Sequence, residues 1–183
     1  MKDFANSYFT FEKNIRAYQR VFADRRKDFT PWLKLPTRLN PDLPDEPWPD
    51  ASECLRAKFA ILDSPELHGF RVLVYYTQAI GDELSNASLL YNFQGITHDG
   101  RYYVSARLGV KNPALDRMKP AGHTLNGIVR EQKSVNSWKD DSFTPELDML
   151  DQMIQSIRIN EPGRRTHINS PATKPLERKA PKK

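Results

Sequence analysis

A single cysteine, Cys54, excludes an intrachain disulfide. It says nothing about compartment, because a domain of this size holds together without bridges. No run of about eighteen apolar residues occurs, so no segment reads as a membrane-spanning helix. Met1-Lys2-Asp3 leads into a mixed, aromatic-rich stretch instead of the apolar core of a signal peptide. The chain as written is therefore expected in the cytoplasm. Glycine-rich phosphate loops, nucleophile elbows and zinc-type cysteine patterns are missing. His68, His98, His123 and His167 are too scattered for metal-ligand spacing. On these grounds no catalytic, cofactor-binding or metal residue is assigned, and no cofactor is expected.

Charge excess is also missing from most of the chain. The net charge is +5, but residues 161–183 hold seven Lys or Arg against two Glu. The preceding 160 residues carry 21 side chains of each sign. Bulk attraction of the core for polyanions is thereby excluded. The tail's composition reads as disordered, with contact to an acidic protein, RNA or anionic lipid through Arg164, Arg165, Lys182 and Lys183 as the functional alternative.

What is present is a strong hairpin pattern over Leu89 to Pro113. Leu89, Tyr91, Phe93 and Gly95 alternate with Asn92 and Gln94. After His98-Asp99-Gly100, the set Tyr102, Val104, Ala106, Leu108 and Val110 alternates with Tyr103, Ser105 and Arg107. Period 2 on both arms around an Asp-Gly turn predicts two antiparallel strands. Phe70, Val72, Val74 and Tyr76 against Arg71, Leu73 and Tyr75 predict a preceding strand covered on both faces. Short polar connections make the three a meander.

Upstream, Phe4, Tyr8, Phe11, Ile15, Tyr18 and Phe22 recur at intervals of three and four, which predicts an amphipathic helix within 1–27. It lies on the domain's own surface or, alternatively, docks on a partner or membrane surface. Residues 28–49 hold Pro31, Pro36, Pro41, Pro44, Pro47 and Pro49. That density excludes regular helix and predicts an extended strap, with Trp32 and Trp48 as apolar hooks. Leu55, Phe59 and Leu62 predict a short helix, with Cys54 a small buried thiol beside it.

Downstream, residues 125–138 are weakly helical. Thr144-Pro145 predicts a capped helix start, and Leu147, Leu150, Ile154 and Ile157 line one face of that helix. Met149 and Met153 read as core packing, and 158–160 as a short last strand. Asp140, Asp141, Asp148 and Asp151 read as a polar loop and a helix start, since a Ca²⁺ loop needs denser, regular oxygens. His98-Asp99 sits at a turn tip, a poorly preorganised place for a base and its orienting acid.

Leu90 to Thr97 followed by Asp99 to Ala106 resembles the YxFQGLTxDGxYYVSA block of a family of exported, lipoprotein-like bacterial proteins, found mainly among Chloroflexi and cyanobacteria. Phe70 to Ala79 is similar to that family's preceding strand. Phe143 to Leu147 and Leu150 to Ile157 are similar to its closing helix. The likeness spans roughly 50–159 and implies export; the family has no assigned catalytic residues to carry over.

The expectation is an α+β core domain over 50–160, an antiparallel meander packed against a C-terminal helix. A PsbP-like layering is the analogy. The amphipathic helix (1–27), the proline-rich strap (28–49) and the basic tail (161–183) are added to it. The function expected is a non-enzymatic binding or accessory domain with a protein partner, contacted through Phe4, Tyr8, Phe11, Trp32, Trp48 and the four tail cations. The alternatives are a structural subunit of a larger assembly and a hydrolase whose site no linear motif reveals.

Overall fold

The computed structural model of the chain describes residues 13, 16–22, 52–77, 83–119 and 124–159. The expected interaction residues Phe4, Tyr8, Phe11, Trp32, Trp48, Arg164, Arg165, Lys182 and Lys183 lie outside these, as do the strap and the tail. Among the described residues, four strands form one antiparallel sheet in sequence order: β1 (Ser52–Asp63), β2 (Leu67–Thr77), β3 (Leu90–Thr97) and β4 (Tyr103–Gly109). Helix α1 (16–22) precedes the sheet, and α2 (Leu125–Ser137) and α3 (Leu147–Gln155) follow it. The fold is α+β.

The alternation of β2 and β3 sorts their side chains onto two covered faces. Leu73, Tyr75, Tyr91 and Phe93 meet Val135, Leu147, Leu150 and Ile154 from α2 and α3. Phe70, Val72, Val74 and Ile96 meet Tyr18, Val21 and Phe22 of α1 on the other side. The sheet is thus the middle layer. A nine-residue helix such as α3 is marginal alone in water. Burying Leu147, Leu150 and Ile154 at roughly 1.5–3 kcal/mol each is what holds it.

Residues 52–63 are strand, not the short helix their spacing suggested. Ala57 pairs with Leu73 and Ala60 with Arg71, so Lys58 and Phe59 together oppose one residue of β2. This bulge shifts the alternation by one position. Leu55 and Leu62, seven apart, then face the same core and imitate a helical period. Lys58 takes the left-handed conformation there, with φ of 54°.

Three further expectations are corrected. Thr144 does not cap α3: its backbone exchanges hydrogen bonds of 2.9 and 2.8 Å with Lys111, and the helix begins at Leu147 with Glu146 before it. Met149 and Met153 are exposed, at 54% and 45%. At 3.6 residues per turn they fall opposite Leu147, Leu150 and Ile154. Residues 157–159 form no strand. Cys54 is buried in the core as expected, and no helix among the described residues is long and apolar enough to cross a membrane.

Candidate functional site

Among the described residues, two of the groups of polar side chains that converge differ in kind. The first is a buried ion network between the sheet and its C-terminal helices. Arg71, 5% exposed, donates through Nη1 to the Lys58 carbonyl at 2.8 Å and through Nη2 to Asp140 Oδ2 at 2.8 Å. Its Nε lies 3.3 Å from Asp151 Oδ1. The Tyr91 hydroxyl donates to Asp151 at 2.8 Å. The Lys58 ammonium lies 2.8 Å from Asp140 and donates to the Trp138 carbonyl.

Burial pushes Asp151 above the usual carboxylate range, against the opposing pull of Arg71 and the Tyr91 hydroxyl. Burial also acts upward on Asp140, but hydrogen bonds from Lys58 and Arg71 outweigh it and hold that carboxyl low. Burial and the Asp151 hydrogen bond push the Tyr91 phenol well up, so it stays a donor. Every strong group here is spent on a neighbour, so the network clamps α3 and the Asp140 turn to β2.

The second group surrounds the turn between β3 and β4. Thr97 Oγ1 donates to Asp99 at 2.5 Å, and the amides of Arg101 and Tyr102 donate to Asp99 and Thr97 at 3.0 Å. Those bonds, the Thr97 hydroxyl first, hold the Asp99 carboxyl below its usual range. Gly100 supplies the positive φ of 72° that closes the turn. Gln19 of α1 donates to the Gly100 carbonyl at 3.0 Å, so the helix leans on the tip.

Pairing of β2 with β3 sets His68 opposite Ile96 and brings His98 back beside the β1–β2 turn. The two imidazoles, thirty positions apart in the chain, stand 6.5 Å centre to centre. His68 Nδ1 lies 3.3 Å and His98 Nε2 3.6 Å from Asp63 Oδ1. His98 Nε2 donates to the Ser64 carbonyl at 2.7 Å, which fixes its proton on that nitrogen. The Phe22 ring meets His68 edge-on at 5.4 Å, and His68 Nε2 is buried with no hydrogen-bond partner. Behind them Gly69 pairs with Gly95. A Cβ at Gly95 would sit 2.5 Å from the Phe93 ring, so the glycine is what lets that ring lie across the sheet.

Two concavities flank the tip. A cleft of about 390 Å³ is lined by Gln19, Phe22, His68, Ile96, His98 and Asp99, among others. A smaller one of about 170 Å³ is lined by Pro65, Glu66, His98, Asp99, Tyr102 and Ile159, with Thr97. Tyr102, in the wall of the smaller one, is 37% exposed, and the Arg101 guanidinium lies 5.7 Å from its ring centre. His98 Nε2, engaged on the Ser64 carbonyl, ties the tip to the β1–β2 turn, while His68 Nε2 is covered. No group of three His, Cys, Asp or Glu among the described residues is placed to hold a metal ion.

His68 and His98, scattered in sequence, are thus neighbours in space, while His123 and His167 lie outside the described residues. Period counting could not bring them together, because strand register does it. The acids at 140 and 151 gain a role that reading along the chain missed. The one available signal was Arg71, a lone charge in an otherwise apolar strand covered on both faces. Compared with protein-family models, with curated proteins and with solved structures, the chain finds no match.

Proposed function

We propose that this chain is a binding or accessory domain that works through contact with a protein partner, and that the β3–β4 tip is the point of contact. The observation that carries the reading is Tyr102 standing exposed in the wall of the smaller concavity with Arg101 alongside its ring. Tyrosine and arginine dominate the energetics of protein interfaces, because both cover large area with few rotamers to freeze. The tip is also preorganised. Asp99, Thr97 and His98 anchor its backbone to itself and to the neighbouring turn, so binding costs little loop ordering. The likeness of this block to exported, lipoprotein-like bacterial proteins agrees with an accessory role.

The test compares the wild-type chain with an Arg101→Ala, Tyr102→Ala double variant as baits in the native source. A protein enriched by the first and lost from the second, at unchanged fold by circular dichroism, supports the reading. Equal capture by both rejects it. A hydrolytic reading has one observation of its own, the cleft beside Asp63, His68 and His98. Turnover that His98→Gln abolishes would move the function there.

A further inference from the structure

The groups lining the two clefts at the β3–β4 tip share one sign. Their formally charged members are Asp99, common to both, and Glu66 in the smaller. Among the described residues neither cleft is lined by lysine or arginine, although Arg101 stands outside them, 4.0 Å from Asp99. Asp63, half-exposed, lies just behind, against the two imidazoles. Beneath the carboxylates the first cleft offers an apolar floor of Phe22 and Ile96. Such a site fits a cationic segment with some aliphatic length, as lysine and arginine stems provide.

The smaller cleft has one more lining residue, Ile159. Two positions later begins the stretch that carries the chain's whole basic excess, residues 161–183 with seven cations and two Glu. The last described residue before that stretch, Ile159, therefore stands in the wall of an acidic concavity. Tethering at a site raises the local concentration of a short flexible segment to the millimolar range. Weak charge pairs that would count for little between separate molecules then suffice for occupancy.

We propose that residues 161–183 dock intramolecularly on the clefts either side of the β3–β4 tip, their cations against Glu66 and Asp99. The segment would then compete with any partner for that surface. This inference does not rest on the partner reading: a docked tail without a partner, and a partner without a docked tail, are separately observable.

The experiment uses the full chain with Ser170→Cys carrying a nitroxide label. Cys54 is buried in the core and stays unlabelled. Backbone amide signals of Glu66, His98 and Tyr102 are expected to lose intensity at low salt. The signal of Leu115, past the opposite end of β4, is expected to keep its intensity. The loss should disappear in about 1 M salt, where the screening length falls to about 3 Å, and shrink in Glu66→Lys, which leaves the Glu66 carbonyl bond to the His98 amide untouched. Equal losses at Leu115 and the tip overturn the proposal. So does a tip-specific loss that neither salt nor Glu66→Lys alters. Mixing unlabelled isotopic protein with spin-labelled natural-abundance protein gives the last arm: broadening there means the tail docks on a second copy, which overturns the intramolecular form.

Discussion

Asp140 shows how much of this fold depends on single charges. Its carboxylate serves two cations, Lys58 at 2.8 Å and Arg71 at 2.8 Å. Arg71 is almost wholly buried, so a lost partner is felt as uncompensated charge and not as a missing surface pair. Asp140→Asn keeps the shape and removes the charge. It should cost about 2 kcal/mol at neutral pH, the scale of hydrogen bonds to charged groups, read by urea unfolding. The pH dependence has a definite sign. Asp140 is held low in the folded state, so its contribution is complete above the unfolded carboxylate value of about 3.9. It is lost as the pH falls through the lower folded value. The gap between wild type and Asp140→Asn should therefore be widest near neutrality and close in acid. Asp151, raised by burial, acts in the opposite sense, and because it shares Arg71 with Asp140 the Asp151→Asn background is the one in which the gap is cleanest to read. A gap that persists undiminished well below pH 3 would contradict this account. Little of it was legible beforehand, because Arg71 lies 69 residues from Asp140 and 80 from Asp151, and only packing brings them together.

At the scale of elements, legibility followed the regularity of the backbone. β2, β3, β4 and the buried face of α3 were readable because period 2 or 3.6 runs through them without interruption. β1 was not, and the reason is the bulge at Lys58 and Phe59, where one inserted residue turns an alternating pattern into a helix-like one. The bulge persists because it is used. The Lys58 amide donates to Asn136 of α2 at 2.6 Å, its carbonyl accepts from Arg71, and its ammonium reaches Asp140. A side chain in the left-handed region costs about 1–2 kcal/mol relative to glycine, and Lys58 carries that cost at φ of 54°. Two substitutions separate the backbone from the side chain. Lys58→Ala loses the ammonium contacts and keeps the strain; Lys58→Gly loses the same contacts and relieves it. Lys58→Gly should thus be the more stable of the two by about 1 kcal/mol, measured by thermal or urea unfolding. Equal stabilities would mean that the positive φ stores no strain.

For the molecule as a whole, the two faces of the sheet are covered by different means. The C-terminal helices sit over a large apolar cluster and are pinned by the ion network. Helix α1 rests on ring contacts: Tyr18 lies 6.2 Å from Phe70, 5.6 Å from Tyr103 and 6.0 Å from Phe22, and Gln19 adds one bond to the hairpin tip. The amphipathic pattern over 4–27 is described only at 13 and 16–22, where Tyr18, Val21 and Phe22 lie buried against the sheet. It could not foretell that the face they cover would be opposite to α3, since periodicity assigns a side chain to a helix face but never to a particular side of a sheet. The unequal attachment predicts unequal opening. Tyr18→Ala should raise amide exchange throughout 16–22 and expose the β2 face at Phe70 and Val74, because a buried aromatic truncation costs about 3–5 kcal/mol and Tyr18 carries the ring contacts of this layer to Phe70 and Tyr103. The amides of β2 and β3 are bonded within the sheet and shielded on the other face, so their exchange should change far less. Hydrogen exchange read by mass spectrometry separates the cases: protection lost only in 16–22 marks α1 as a layer that opens by itself, and a uniform loss through β2 and β3 would make it part of the cooperative core.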